Sequence, residues 1–310
     1  MSCSIDALKA RAALNQQIRA FFAEKEVLEV ETPILSNAAA CDPNLDSFQT
    51  SLLQQDKNLY AHTSPEFAMK RILASGSGSL YQIAKVFRQG ERGRLHNPEF
   101  TLLEWYRVGF SYIQLLEELI ALLMVCLNQN IHFQTVKYGD LFKSITQINP
   151  HQTSVHELNA YAIEQGYIGV ERIVQGRLEN ALDFVFSECI QPQLKPNVIT
   201  AVIEYPSCLA MLSKLSSTGT AKRFEVYYQG VELANGYEEL TCENEQSERF
   251  MEENKVRKAL GQPCMPIDTR FLASLKSGLP DCSGVAVGLD RLLLLILGAH
   301  HIDDVIAFPI

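Results

Sequence analysis

Apolar positions recur at helical spacing from about Ile5 to Lys25, at Leu8, Ala12, Ile18, Phe21 and Phe22, which predicts an amphipathic helix facing either solvent or a dimer partner. Val27-Leu28-Glu29-Val30-Glu31 then alternates with period two, as a strand does, and stops at Thr32-Pro33. Polar, turn-rich sequence from Ser36 to Asp56 reads as a loop, Leu59 to His62 as a short strand, and Pro65 as the opening of a helix that ends in Ser75-Gly76-Ser77-Gly78-Ser79. Leu80 to Arg88 and Glu99 to Val108 read as two strands joined by a charged loop, hence an antiparallel hairpin, followed by an apolar helix from Ser111 to Asn128 with Ser111 as N-cap. The stretch from Asn130 to Ser217 reads as short helices and loops without recognisable chemistry. Arg223–Tyr228 and Val231–Tyr237 pair across Gln229-Gly230, a charged helix runs from about Glu243 to Leu260, and a glycine-punctuated strand from Gly284 to Gly288 enters an apolar helix from Asp290 to Leu297.

Composition narrows the class of protein. At 310 residues, 47% hydrophobic and 20% charged, the chain is long enough to bury a substantial core and too apolar for disorder. The formal charge of -9 leans away from a partner the size of tRNA, because polyanion binders neutralise phosphates with Lys and Arg. The eight cysteines form no CxxC or Cys/His cluster, so they read as buried thiols of a reducing compartment rather than a zinc site. The polar N-terminal run and the short apolar stretch at Leu292–Leu297 fit neither a leader nor a membrane span, and the expected location is the cytoplasm.

Four segments carry candidate chemistry. In Phe100-Thr101-Leu102-Leu103-Glu104-Trp105-Tyr106, alternation puts Phe100, Glu104 and Tyr106 on one strand face, which suits a ring-stacking site beside a cation pocket, or an edge strand with a solvated glutamate. Arg88, Arg92, Arg94 and His96 around the hairpin loop either grip phosphate oxygens or form a solvated basic loop. The carboxylate-dense segment Glu225 … Glu232-Leu233-Ala234-Asn235-Gly236-Tyr237-Glu238-Glu239 suits Mg²⁺, a substrate ammonium, or an exposed acidic edge. Strict alternation separates Glu232 from Glu239, so a shared site requires a bend or bulge at Asn235-Gly236. Arg291, in the first turn of the last helix, opposes the helix dipole and is better explained by an anionic ligand than by stability.

In this order the segments resemble the three signature motifs of class II aminoacyl-tRNA synthetases: Glu29 to Pro33 is similar to motif 1, Phe87 to Phe100 to motif 2, and Gly284 to Arg291 to motif 3. Thr63-Ser64-Pro65-Glu66, His96 to Thr101 and Glu232 to Gly236 resemble the lysyl branch, and Pro280 to Ala286 resembles its truncated paralogues, which attach (R)-β-lysine to elongation factor P. The resemblance implies an α+β fold: one catalytic domain over residues 1–310, a mostly antiparallel sheet flanked by helices, a less regular insertion at about 130–217, no anticodon-binding domain, and a homodimer formed through motif 1. It implies ATP bound by Arg88, Gln89, Gly90, Asn97, Phe100, Glu232, Leu233, Gly288 and Arg291, with Arg88 on the α-phosphate, Arg291 on the γ-phosphate and Phe100 stacked on adenine. Mg²⁺ falls to Glu225 and Glu232. The amino acid falls to Ser64, Pro65, Glu66, Glu104, Tyr106, Glu239 and Ala286, where lysyl-tRNA synthetases usually carry glycine at the last position. One departure stands out, because Gly90 occupies the place of the family's adenine-reading glutamate, leaving that role to Glu91 or to backbone groups with Phe100. The implied reaction is adenylation of β-lysine and transfer to a lysine of elongation factor P without tRNA. The competing readings are tRNA charging and a catalytically inactive synthetase-like regulator.

Overall fold

Ser4 opens helix α1 (Ile5–Ala23) by accepting the Ala7 N–H at 3.0 Å. The buried stripe is Ala7, Leu14, Ile18 and Phe22, so Ala12, expected inside, faces out. The structure, a computed structural model, describes residues 2–51, 58–129 and 131–310. It divides into two compact units, residues 1–129 with 239–310, and residues 130–238.

In the first unit, β1 (Leu28–Glu29) keeps two residues of the expected 27–31 run. The short strands β2 (Leu35–Ser36), β3 (Gln49–Ser51) and β4 (Asn58–Ala61) form a small antiparallel sheet in the order β2-β4-β3. Two of them fall largely within the expected Ser36–Asp56 loop, of which residues 52–56 lie outside the described residues. Helix α2 (Glu66–Ala74) starts at Pro65 as expected. Strands β5 (Leu80–Phe87) and β6 (Glu99–Val108) pair antiparallel from Leu80↔Tyr106 to Phe87↔Glu99. Helix α3 (Tyr112–Leu127) begins in a capping box between Ser111 and Gln114.

The second unit holds β7 (His132–Lys137), α4 (Tyr138–Thr146), α5 (Val155–Glu164), α6 (Val170–Val174), α7 (Leu178–Val185), β8 (Val198–Tyr205), β9 (Ala221–Tyr228) and β10 (Val231–Glu238). The strands lie in the order β10-β9-β8-β7, with β7 and β8 parallel and the others antiparallel. The expectation of helices and loops alone from 130 to 217 is therefore corrected, since β7 and β8 lie in that stretch. In β8 the residues from Ile199 to Ile203 are all buried, so no alternation marked it as a strand. The expected insertion falls inside this unit, which continues to Glu238. Its core centres on Tyr138, Phe142, Leu182, Phe186, Tyr205 and Tyr227. Gln229 and Gly230, both at positive φ (51° and 74°), make the two-residue β9–β10 turn.

The chain returns to the first unit with α8 (Glu243–Ala259), α9 (Thr269–Gly278), β11 (Cys282–Gly288) and α10 (Leu289–Leu297). Helix α9 was not anticipated. Asp268 caps it through the Arg270 and Phe271 N–H groups, and Phe271 stacks on Phe67 of α2 at 4.7 Å. Strand β11 pairs antiparallel with β6, giving the order β1-β5-β6-β11. Three of the eight cysteines (Cys208, Cys242 and Cys264) are exposed, which corrects the expectation that all are buried. Among the described residues no helix is long and apolar enough to cross a membrane.

Candidate active site

Strand β6 separates two surroundings by alternation. Its odd-numbered side joins the core, where Trp105 meets Phe22 and donates to Glu118 at 3.1 Å. Its even-numbered side carries the candidate chemistry, and from Phe100 to Tyr106 register places four rows across it: Val86 beside Phe100, Ala84–Leu102–Gly288, Gln82–Glu104–Ala286, and Leu80–Tyr106–Gly284. Ala84, Val86 and Leu102, with Phe100 and Ala286 packed on them, form an apolar floor. The rows of Phe100 and Glu104 are four residues apart, roughly 13 Å along the strand.

At the Phe100 end the structure collects cations. The Arg88 guanidinium lies 5.1 Å from the Phe100 ring centroid, and its Nε is buried with no hydrogen-bond partner among the described residues. Arg291 contacts His96 Nε2 at 2.7 Å and the Leu95 carbonyl at 3.3 Å. Loss of hydration, then Arg291 and Arg88, hold the His96 imidazole below its ordinary pKa, while Glu91 acts the other way. Arg88 and Arg291, 203 positions apart by residue number, thus act on one imidazole. The nearest carboxylate to Arg88 is Glu91, at a loose 3.7 Å. A half-buried guanidinium with an unpartnered Nε, sharing an imidazole with a second arginine, suits an anion such as a polyphosphate.

Other loop groups are held structurally. Arg92 pairs with Asp303 at 2.7 Å and Arg94 donates to the His300 carbonyl at 3.4 Å, so these two arginines tie the loop to the C-terminal segment. Asn97 is buried, donating to the Glu99 carbonyl at 2.7 Å and accepting the Ile310 N–H at 3.0 Å. Gln89 and Gly90 are exposed; the Gln89 N–H reaches the Asp46 carbonyl, and Gly90 sits at φ 83°. Gly288 caps α10, with the Arg291 Cδ 3.5 Å from where a Cβ would stand. Asp290, a residue whose role the sequence did not disclose, accepts from Arg11 and from the Thr101 N–H (2.7 Å), fixing the start of α10 and with it Arg291.

At the Glu104 end the structure collects acids. Glu104 accepts from Tyr106 (2.6 Å) and from Ser64 (2.7 Å), and Ser64 also accepts the Glu66 N–H at 3.0 Å, so the Ser64-Pro65-Glu66 turn that starts α2 reaches β6. Glu239, fully buried, follows β10, and its N–H donates to the Cys282 carbonyl at 3.0 Å. A Cβ on Gly284 would stand 2.3 Å from the Tyr106 ring and 2.5 Å from Glu239 Oε1, so glycine is required there. Burial, with Glu66 adding repulsion, pushes the Glu104 carboxyl up to about 7. Burial pushes Glu239 up to about 8 against the attraction of Lys70.

Lys70 is the residue that sequence reading missed here. Its side chain is fully buried, and its Nζ lies 2.5 Å from Glu66 Oε1 and 2.5 Å from Glu239 Oε2. The second contact is an ion pair without hydrogen-bond alignment, leaving Glu239 Oε2 with no donor aimed at it. The available signal was the four-residue spacing from Glu66 on a helix with Pro65 at its start.

In the second unit, Glu225 on β9 accepts from Arg223, Tyr205 (2.7 Å) and Tyr227. Register sets Glu232 opposite Tyr227 and Asn235 opposite Glu225, with the bulge between Glu232 and Ala234, at Leu233, rather than at the expected Asn235-Gly236. The bulge resets the alternation, so Glu232, Asn235 and Tyr237 share a face with Glu225. Gly236 is needed for another reason: a Cβ there would stand 2.3 Å from the Phe224 ring. Glu225 and Glu232 are two hard oxygen donors on one face, a donor type that suits Mg²⁺, and a bound ion would share Glu225 with Arg223, Tyr205 and Tyr227.

A sequence model of the tRNA synthetases class II (D, K and N) matches residues 4–310. The chain belongs to the class II tRNA synthetase family. Among curated proteins it is similar to the elongation factor P--(R)-beta-lysine ligases of Vibrio vulnificus (42% identical, over 99% of this chain and 97% of the relative) and of Histophilus somni strain 2336 (43%, over 100% and 96%). The protein of the same name from Haemophilus ducreyi is 41% identical, over 100% and 95%. For a class II synthetase-like ligase, use of ATP follows from the family, and the cation-rich end of β6 matches that use.

Proposed function

We propose that this chain activates (R)-β-lysine with ATP and transfers the β-lysyl group to the ε-amine of a lysine on elongation factor P. The observation that carries the reading is the polarity of the even-numbered face of β6. Arginines gather at Phe100, three carboxylates at Glu104, and an apolar floor lies between. An aminoacyl adenylate has the same polarity, with anionic phosphate at one end and ammonium groups at the other. The names of the relatives support the choice of amino acid and acceptor.

In the first step a carboxylate oxygen of β-lysine attacks the α-phosphorus and pyrophosphate leaves. Arg88 and Arg291 bind the phosphates and stabilise the charge that develops there, Phe100 stacks on adenine, and Gln89, Gly90, Asn97, Leu233 and Gly288 line the nucleotide. Glu225 and Glu232 hold Mg²⁺, which neutralises phosphate charge when bound. In the second step the neutral ε-amine of the acceptor lysine attacks the acyl carbon, AMP leaves with the bonding electron pair, and the new amide nitrogen loses a proton. No protein nucleophile is required, so rate comes from positioning and electrostatics. Glu66, Glu104, Tyr106 and Glu239 hold the two ammonium groups. The Ala286 methyl stands across from Glu104, on the edge of the apolar floor, where it selects among positions of the amino group nearest the carboxylate. Leu28, Ile34 and Leu35, which flank the motif 1 stretch, are exposed apolar residues (51%, 44% and 46%), which supports a homodimer through that region.

Mass spectrometry of elongation factor P incubated with ATP, (R)-β-lysine and this protein tests the reading. The expected product is the factor carrying one added lysyl group. Stable transfer of labelled lysine to bulk tRNA, with the factor unmodified, would overturn it.

A further inference from the structure

Lys70 introduces a positive charge into a pocket proposed to receive positive charges. The groups that face it are Glu66 on its own helix, Glu239 after β10, and Glu104 and Tyr106 on β6; α9 contributes only the Phe271 ring, 5.7 Å away. Its whole side chain is buried, and the Phe67–Phe271 stack packs α2 against α9 beside it. Resting on the reading that this pocket takes a diamino acid, we propose that Lys70 is a positioning residue that stays in place when substrate binds and sets the pocket's charge. Its ammonium holds Glu66 and Glu239 at fixed places and cancels one of the three carboxylates. With all three carboxylates ionised, as a bound diammonium favours, the remaining surplus is two negative charges, which matches the two ammonium groups of a diaminoacyl adenylate whose carboxylate is already esterified. A monoamine would leave one buried carboxylate uncompensated, a penalty that discriminates without any steric contact.

The test begins without substrate. Glutamate side-chain carbons are titrated by ¹³C NMR in the wild-type protein and in Lys70→Met. Loss of the cation is expected to raise the midpoints of Glu104 and Glu239 by about one pH unit or more. In β-lysine-dependent pyrophosphate exchange at neutral pH, the KM for β-lysine is expected to rise about tenfold or more. The KM for ATP should change by less than about twofold. Lys70→Arg should restore the midpoints while leaving the KM for β-lysine raised, because charge returns without the original geometry. Unmoved midpoints in Lys70→Met, or equal losses toward ATP and β-lysine, would overturn the assignment. Should Lys70→Met not fold, ¹⁵N NMR of the wild-type lysine ammoniums decides: Lys70 is expected to stay protected from exchange in both free and β-lysine-bound protein, and loss of protection on binding sinks the proposal. If the midpoints shift as expected but another diamine supports exchange and β-lysine does not, the choice of β-lysine fails while the role of Lys70 stands.

Discussion

Two buried carboxylate clusters in this protein differ in charge balance, and that difference separates a cluster that is stable by itself from one that calls for a ligand. In the second unit Glu225 meets Arg223 and two tyrosine hydroxyls, and Arg223 donates further to the Leu209 carbonyl (2.8 Å) and the Asn235 side chain (3.3 Å). Arg223 and Glu225 neutralise each other there, with neutral donors filling the remaining Glu225 valences and Asp183 close enough to act on Arg223. In the first unit Glu66, Glu104 and Glu239 share one ammonium, and two of the three carboxyls are pushed toward their protonated forms. A balanced cluster is stable without a ligand, and a Mg²⁺ held by Glu225 would add to it without being required by the packing. An unbalanced one is completed by something that binds, and the same holds with opposite sign for Arg88, whose Nε has no hydrogen-bond partner among the described residues.

The largest expected effect comes from the cationic end. Arg291→Ala should reduce pyrophosphate exchange on the order of 10³-fold, the usual loss when an arginine that stabilises phosphoryl charge is removed. Its melting temperature should hold, because removing one of two neighbouring cations relieves repulsion. Unchanged exchange would refute the assignment of Arg291. The reverse pattern is expected from Arg223→Met, which leaves the Glu225 charge buried and unpaired and should cost about 3–5 kcal/mol of stability in urea unfolding. A loss well below that range would remove the distinction between the clusters.

Glu239→Gln sharpens the comparison from the other side. Removing one surplus acid should leave stability unchanged or raised by about 1 kcal/mol, while the KM for β-lysine rises on the order of 10–100-fold. Clear destabilisation would make Glu239 a scaffold residue.

The pH dependence carries a sign. Glu104 and Glu239 have raised folded-state values, so the folded protein binds more protons than the unfolded chain above the ordinary carboxylate range. Their contribution to stability is present in full below about 4.5 and is lost as pH climbs through about 7 and about 8. A diammonium ligand favours the ionised forms, so its binding near pH 7 should release protons, of the order of one per site, and affinity should strengthen as pH rises from about 6 to about 8. Calorimetry in buffers of different ionisation enthalpy measures that count, and net proton uptake would contradict the balance described here. The smallest effect is Ala286→Gly, expected to raise use of α-lysine relative to β-lysine by about tenfold or less, in keeping with one methyl in a pocket. An unaltered ratio would detach Ala286 from selectivity.

Much of this was legible in the chain. Period-two patterning marked the β5–β6 hairpin, Ser111 and Pro65 marked helix starts, and Arg88, Phe100, Glu104 and Arg291 stood out because an aromatic, an acid on a strand face or a cation in a first helical turn asks for a partner. Other features stayed hidden for identifiable reasons. Strand β8 is buried continuously and shows no alternation. The bulge at Leu233 carries no turn residue, and the glycine nearby serves the Phe224 ring instead. Lys70 reads in sequence as a solvated helix lysine, because nothing local says that its helix turns that face onto Glu239, 169 positions later.

By itself the sequence determined most of the strands and helices around the site, though not α9, because patterning and capping act over a few residues. Through the resemblance to family motifs it also pointed to most of the side chains proposed for the site. Only the tertiary structure decided which charges face one another: that Arg92 serves the C-terminal segment, that Arg88 and Arg291 act on the same imidazole, and that Lys70 stands among the acids. Those outcomes depend on contacts between groups far apart in the chain, where burial strengthens Coulomb forces that local pattern cannot register.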